Sequence, residues 1–332
     1  MAKYEATLRR FAEWFNRYRQ PDGSLDAPNL FCPAYMPVPL YAHATGDTDL
    51  LHRTLAYIER RAGRDAQFLR PPGKGLLPYR MAWIAIGAVV GEHLRLGSSL
   101  AGWISAFADR GTGGYFGNDA TRKAGAGEIC FDSTTNVCAA LCFTGDVAEA
   151  ERAGVFLRRL VQAQTESDAR FFTVWDTSRG LVTQFEPKQA RLYAIEWAQP
   201  QQYLYKIGLL VRAFALLHAR TGNAQDLALA ESMHRKAFAK SPGVSTNTLA
   251  HKLGWSAYTL FLATRKGGYV EDACAVADHL AGLQQPDGAF HYPEFWPPYE
   301  QVEIEQKFNI GCQFATWIAY ANTLLKWNGM KP

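Results

Sequence analysis

The tetrapeptide Gln-Pro-Asp-Gly occurs twice, at residues 20–23 and 285–288, each time after a helix-like stretch. Between these copies, helical stretches end repeatedly at a glycine: Gly46, Gly97, Gly145, Gly222 and Gly267, separated by 51, 48, 77 and 45 residues. Apart from one long interval, the period is near fifty, the length of a helical hairpin with its loop. Each glycine fits the left-handed residue that ends a helix. Asp47, Asp146 and Asn223 follow three of them and suit the cap of the next helix.

The helices after the glycines are one-faced: Ala150, Ala153, Leu157 and Leu160, then Ala273, Val276, Leu280 and Leu283, recur at helical spacing. Those before the glycines are apolar all round, as in residues 81–90 and 203–217. All-round apolar helices are buried and one-faced helices are peripheral. Inner helices are expected near 34–45, 80–96, 132–144, 200–221, 249–266 and 307–326. Outer helices are expected near 3–19, 48–63, 98–109, 147–164, 224–240 and 269–285. Six such hairpins without a polar terminal cap close into an all-α (α/α)6 toroid in preference to an open solenoid. The whole chain, 1–332, reads as a single toroid domain. Apolar residues at 48% and charged residues at 20% match a large core.

With this hairpin pattern the chain resembles the α/α-toroid superfamily, which includes terpenoid cyclases, protein prenyltransferase β subunits and carbohydrate-active lyases, hydrolases and epimerases. Gln284, Gln285, Asp287, Gly288 and Phe290 are similar to the Gln…Gly…aromatic repeat of the cyclase branch, with Gln20, Asp22, Gly23 and Leu25 as a degenerate copy. The resemblance implies architecture and leaves the reaction open. In both copies Asp-Gly makes the tight turn after an outer helix.

The long interval holds an insertion at 165–199. Its runs FFTVWD and LVTQF predict a β-hairpin near 169–187, joined by Thr-Ser-Arg-Gly. Long excursions from a repeat commonly shape a binding site, so this one reads as a wall or lid over one mouth. A second excursion, 290–306, is rich in aromatics and carboxylates and suits the same mouth.

The N-termini of the inner helices converge on one end of such a toroid. Their unpaired N–H groups and dipole ends favour anionic groups there. Those starts supply the candidate binding residues Tyr35, Tyr79, Arg80, Trp83, Asn136, Trp197, Gln202, Asn247, Trp255, Asn309 and Gln313. Aromatic faces mixed with amides suit a sugar-like ligand, whose ring stacks while its hydroxyls need partners. Asp132, in FDSTTNVC, and His251 are the candidate proton-transfer groups, with Tyr203 and Glu196 in support. Asp132 equally suits an N-cap. Its segment also resembles the acid-bearing region of terpenoid cyclases, but carries one Asp where those have an Asp-rich motif.

The formal charge of +4 leans toward an anionic ligand, without a basic block to read as a nucleic-acid or membrane surface. The N-terminus reads as an amphipathic helix and no stretch reaches membrane-spanning length, so the expected setting is cytoplasmic. Six cysteines without a C-x-x-C pair give no metal motif. The glycine-rich segment 111–119 follows a helix and lacks the context of a phosphate loop. The expected function is cofactor-independent acid/base chemistry on a sugar-like, oxygen-rich small molecule: lyase, epimerase or hydrolase. The alternatives are a terpenoid-cyclase-like enzyme acting on an apolar chain and a toroid that binds without chemistry.

Overall fold

A computed structural model describes residues 3–27, 30–64, 66–69, 77–124, 127–327 and 329. Its helices are α1 (Glu5–Asn16), α2 (Cys32–Tyr35), α3 (Val38–Thr45), α4 (Thr48–Arg64), α5 (Pro78–Val90), α6 (Leu94–Ser105), α7 (Asp119–Ala124) and α8 (Phe131–Thr144). They continue as α9 (Val147–Gln162), α10 (Ala190–Tyr193), α11 (Tyr205–Thr221), α12 (Ala224–Lys240), α13 (His251–Thr264), α14 (Gly268–Gly282) and α15 (Ile304–Trp327). The inner ring is closed: α3 packs on α5, α5 on α8, α8 on α11, α11 on α13, α13 on α15, and α15 returns to α2 and α3. The one-faced helices α1, α4, α6, α9, α12 and α14 lie outside their partners. This is the (α/α)6 toroid that the hairpin period predicts. Among the described residues, no helix is long and apolar enough to cross a membrane.

Gly46, Gly145 and Gly222 end their helices in the left-handed region, with φ of 77°, 86° and 74°. The cap residues act as expected: Asp47 Oδ1 accepts from Leu50 N, Asp146 Oδ1 from Glu149 N, and Asn223 Oδ1 from Gln225 N. Gly97 and Gly267 differ from expectation. Glu92 and Arg265 carry the positive φ at those two turns. Gly97 lies inside α6, where an added Cβ would meet Val89 Cγ2 at 3.2 Å, so close packing of the hairpin places a glycine there.

The Gln-Pro-Asp-Gly turns latch neighbouring outer helices together. Gly23, after α1, has φ of 87°, and a Cβ on it would lie 2.1 Å from the Arg53 carbonyl oxygen of α4. Gly288, after α14, has φ of 102° and faces the Arg10 oxygen of α1 at 2.4 Å, which fastens the last hairpin to the first. The glycine-rich 111–119 segment holds a third copy. Gly113, after α6, has φ of 85° and faces the Arg152 oxygen of α9 at 2.6 Å. The bridges Arg19–Leu25, Ala108–Tyr115 and Gln284–Phe290 close the three loops alike.

These latches give a direct comparison. Gly288→Ala combines a left-handed alanine, about 1–2 kcal/mol, with overpacking against backbone, about 1–3 kcal/mol. Gly46→Ala shares the positive φ, but nothing lies within 4 Å of its added Cβ. Urea unfolding is expected to show the first substitution destabilising by about 2–5 kcal/mol and the second by only about 1–2 kcal/mol. Equal losses would mean that the approach to Arg10 is not tight.

The insertion folds as short strands. β1 (Glu128–Cys130), β3 (Val174–Asp176) and β4 (Gly180–Leu181) form an antiparallel sheet in the order β1-β3-β4, while β2 (Arg170–Phe172) pairs with β5 (Ala194–Glu196). The expected hairpin is therefore the short pair β3–β4, with Trp175 opposite Leu181. Phe171 and Phe172 turn to β5 instead. Lys206 on α11, buried, fastens the insertion by donating to Thr173 Oγ1 at 3.2 Å and the Leu192 carbonyl at 2.8 Å.

Candidate active site

A cavity of about 390 Å³ opens at the inner-helix N-termini. Tyr79 and Arg80 reach it from the first turn of α5, Asp132 from α8, Tyr205 from α11, and His251 and Lys252 from α13. Asn309 and Gln313 enter from α15, and Tyr292, Phe295 and Trp296 cover it from the second excursion. Residues 169–202 do not line it. Tyr203, expected in support of proton transfer, follows the insertion, does not line the cavity and stacks on Phe295 of the cover at 5.5 Å.

One turn further along the inner helices, four residues on and therefore on the same face, lies an aromatic floor. Trp83 follows Tyr79, Trp255 follows His251 and Trp317 follows Gln313. Trp255 stacks on Trp317 at 4.4 Å and approaches Trp83 at 5.1 Å. Asn136, four residues after Asp132, belongs to this layer. It donates to the Tyr79 carbonyl at 2.8 Å and accepts from Arg212 Nη2 at 2.6 Å. The buried Arg212 guanidinium covers the Trp255 face at 3.5 Å, a cation–π contact in place of a carboxylate. Burial lowers its pKa to about 9.

The polar layer above is a connected chain. Tyr205 donates to Asp132 Oδ2 at 3.1 Å. Its phenol titrates far above the ordinary range, through burial first and the Asp132 charge second, so it stays protonated. Lys252 Nζ lies 4.7 Å from the centre of the Tyr205 ring and 3.1 Å from His251 Nε2. His251 Nδ1 lies 2.9 Å from the Thr248 carbonyl oxygen. A carbonyl only accepts, so Nδ1 carries the hydrogen and Nε2 presents its lone pair to Lys252. Burial, then the Lys252 charge, depresses the His251 pKa well below its usual value. Burial pulls the Lys252 ammonium down to about 7, with the Asp132 charge opposing this and Arg212 assisting. Three buried polar atoms around the cavity have no hydrogen-bond partner among the described residues: Asp132 Oδ1, Arg80 Nη1 and Gln313 Oε1. Buried polar atoms are rarely left so.

Of the residues picked from sequence, Tyr79, Arg80, Asp132, His251, Asn309 and Gln313 share this cavity. The others lie elsewhere for identifiable reasons. Trp83, Trp255 and Asn136 form the layer beneath. Glu196 belongs to β5, with Arg170 Nε at 3.3 Å. Trp197 is buried and donates from Nε1 to the Ser167 carbonyl. Gln202 Oε1 accepts from Glu196 N, and Asn247 Oδ1 accepts from Leu249 N as a cap. Tyr35 packs on Tyr57 at 5.1 Å and accepts from Leu25 N. Tyr205 and Lys252 are the residues that sequence reading missed. Among the described residues, no cluster of three or more His, Cys, Asp or Glu is arranged to hold a metal.

No protein-family model and no curated protein matches the chain. Solved structures match it over nearly its full length. The α-1,6-mannanase GH76A of a Salegentibacter species is 15% identical, with 96% of this chain and all of that chain covered and a TM-score of 0.69. An unsaturated glucuronyl hydrolase specific for heparin is 9% identical, with 98% and 96% covered and a TM-score of 0.64. A D-mannose isomerase is 14% identical, with 94% and 96% covered and a TM-score of 0.58. At these identities the likeness establishes the fold that the helix contacts already trace, a six-hairpin α/α toroid.

Proposed function

We propose that this protein is a proton-transfer enzyme acting on a sugar or sugar acid, of the isomerase, epimerase or lyase type. The observation that carries the reading is the joining of two acid/base pairs, Asp132–Tyr205 and His251–Lys252, through one tyrosine ring within one cavity. A cavity of about 390 Å³ falls at the small end of ligand sites and suits one or two sugar rings. Tyr292, Phe295 and Trp296 offer ring faces, Gln313 and Asn309 offer amides, and Arg80 offers a cation to a carboxylate. The similar folds that act on mannosides, mannose and unsaturated glucuronides support this substrate class.

Proton transfer is favoured over hydrolysis by the carboxylates. Glycoside hydrolysis ordinarily uses a pair of them, and an inactive variant of the Salegentibacter mannanase carries asparagine in place of two consecutive aspartates. This chain has no two consecutive aspartates, and among the described residues Asp132 is the one carboxylate lining the cavity. An apolar isoprenoid substrate fits poorly, since it would leave Asp132 Oδ1, Arg80 Nη1 and Gln313 Oε1 desolvated without partners.

The test is hydrogen exchange. Incubated in D₂O with a panel of aldoses, ketoses and uronic acids, the protein is expected to place deuterium on the carbon beside the carbonyl of one group, read by proton NMR. If the whole panel stays unlabelled and prenyl compounds alone raise the melting temperature, the reading fails.

A further inference from the structure

Lys252 is unusual among the cavity residues. Its side chain is buried, it lines the cavity, and among the described residues no carboxylate lies within ion-pair distance of it. Lysine is almost never fully buried unless paired. Its polar contact is the Nε2 lone pair of His251, fixed in that role by the Thr248 carbonyl. Two ring faces lie beside it, Tyr205 at 4.7 Å and Trp83 at 5.9 Å, and the Asp132 and Arg212 charges act on it from further off. A lysine needed only as a cation would sit against an acid. This one is held in an apolar slot beside a base, the environment that activates an amine as a nucleophile.

We propose that Lys252 forms a covalent imine with the carbonyl carbon of an open-chain aldose or ketose, with His251 Nε2 as the proton carrier. The inference rests on the sugar-type reading of the cavity and adds a covalent step to it. The Nζ lone pair makes the N–C bond while the carbonyl π pair moves to oxygen. His251 Nε2 transfers a proton from nitrogen to that oxygen, giving the carbinolamine. The remaining N–H proton of the carbinolamine then passes through Nε2 to the hydroxyl, which leaves as water while the nitrogen lone pair makes the C=N bond. Both amine hydrogens end on the departing water, and no oxidant or cofactor enters. Protonated by a solvent proton, the imine nitrogen draws electrons from the adjacent C–H, the bond that an isomerase or epimerase must break.

The experiment is reductive trapping on the intact protein. With glycolaldehyde and cyanoborohydride at pH 7, peptide mass spectrometry is expected to find the hydroxyethyl adduct on Lys252 roughly ten-fold or more ahead of the exposed lysines, because an amine seated in the cavity beside a base is the more available nucleophile. His251→Gln is expected to slow that adduct. Lys252→Arg, which keeps the charge but cannot form the imine, is expected to lose the adduct and the deuterium exchange together, while urea unfolding reports that it folds. Labelling of surface lysines alone, or full exchange activity in Lys252→Arg, overturns the covalent step. If the native protein exchanges deuterium without an adduct at Lys252, the imine fails and the acid/base reading stands. If neither signal appears, both fail.

Discussion

Asp132→Asn is expected to slow deuterium exchange into the sugar by about 100-fold or more, the usual contribution of a positioned acid or base, with little loss of stability. The geometry sets both halves of this result. Asparagine keeps an oxygen to accept the Tyr205 hydroxyl at the position now held by Oδ2. It replaces the partnerless Oδ1 with an amide that no longer exchanges protons. Glu196→Gln is the matched control. Its carboxylate lies on β5 beside Arg170 Nε at 3.3 Å, away from the cavity lining, and surface pairs of this kind contribute about 0–1 kcal/mol. Exchange by that variant is expected within about two-fold of the native rate. Tyr205→Phe falls between them, because it leaves Asp132 in place but removes its hydrogen bond, on the order of 1 kcal/mol. Equal activity in Asp132→Asn and Glu196→Gln would remove Asp132 from the chemistry.

The architecture was legible because it repeats. A hairpin period and alternating degrees of apolarity recur along the chain and three glycine-ended helices mark the same period, so single errors do not accumulate. Gly97 and Gly267 were misread, since a glycine in a helix-rich chain serves close packing as readily as it serves a left-handed turn. The third latch, at Gly113, was missed because its loop reads Arg-Gly-Thr-Gly where the others read Gln-Pro-Asp-Gly. A left-handed glycine, a closing bridge and the approach to an outer-helix carbonyl unite them.

The site was legible to within one helical turn. Tyr79 and Trp83, Asp132 and Asn136, and His251 and Trp255 are each four residues apart on one face, so sequence cannot tell the polar mouth from the floor beneath. Gln202 and Asn247 are polar at helix starts for a different reason, the supply of backbone hydrogen bonds. A stronger signal lay in charge. Lys206, Arg212 and Lys252 interrupt helices that are otherwise apolar on every side, where no solvated face exists to receive them. One fastens the insertion, one covers the tryptophan floor and one lines the cavity.

Lys252→Met is expected to stabilise the protein at neutral pH, with a gain that shrinks as the medium becomes alkaline. The folded protein holds the Lys252 pKa at about 7, while the unfolded chain restores the ordinary value near 10.5. Between those values the unfolded state binds a proton that the folded state does not, so native stability rises with pH through that window. At about 1.4 kcal/mol for each unit, the native protein gives up roughly 3–5 kcal/mol on going from pH 10.5 to pH 7. His251 works in the same direction below its ordinary pKa, because it is held neutral while the unfolded histidine takes up a proton. Methionine fills a similar volume without a charge to desolvate and replaces the cation–π contact with the Tyr205 ring by a sulfur–aromatic one. Many tyrosines titrate on the alkaline side in both proteins, so the informative quantity is the difference between the two urea-unfolding curves at each pH. That difference is expected to favour Lys252→Met by several kcal/mol at pH 7 and to close toward pH 10. Its exchange activity should fall at the same time, since the group that destabilises the fold is the one held ready for substrate. A constant difference across pH would show that Lys252 keeps its proton in the folded state, and with it would go the case for a neutral amine in the cavity.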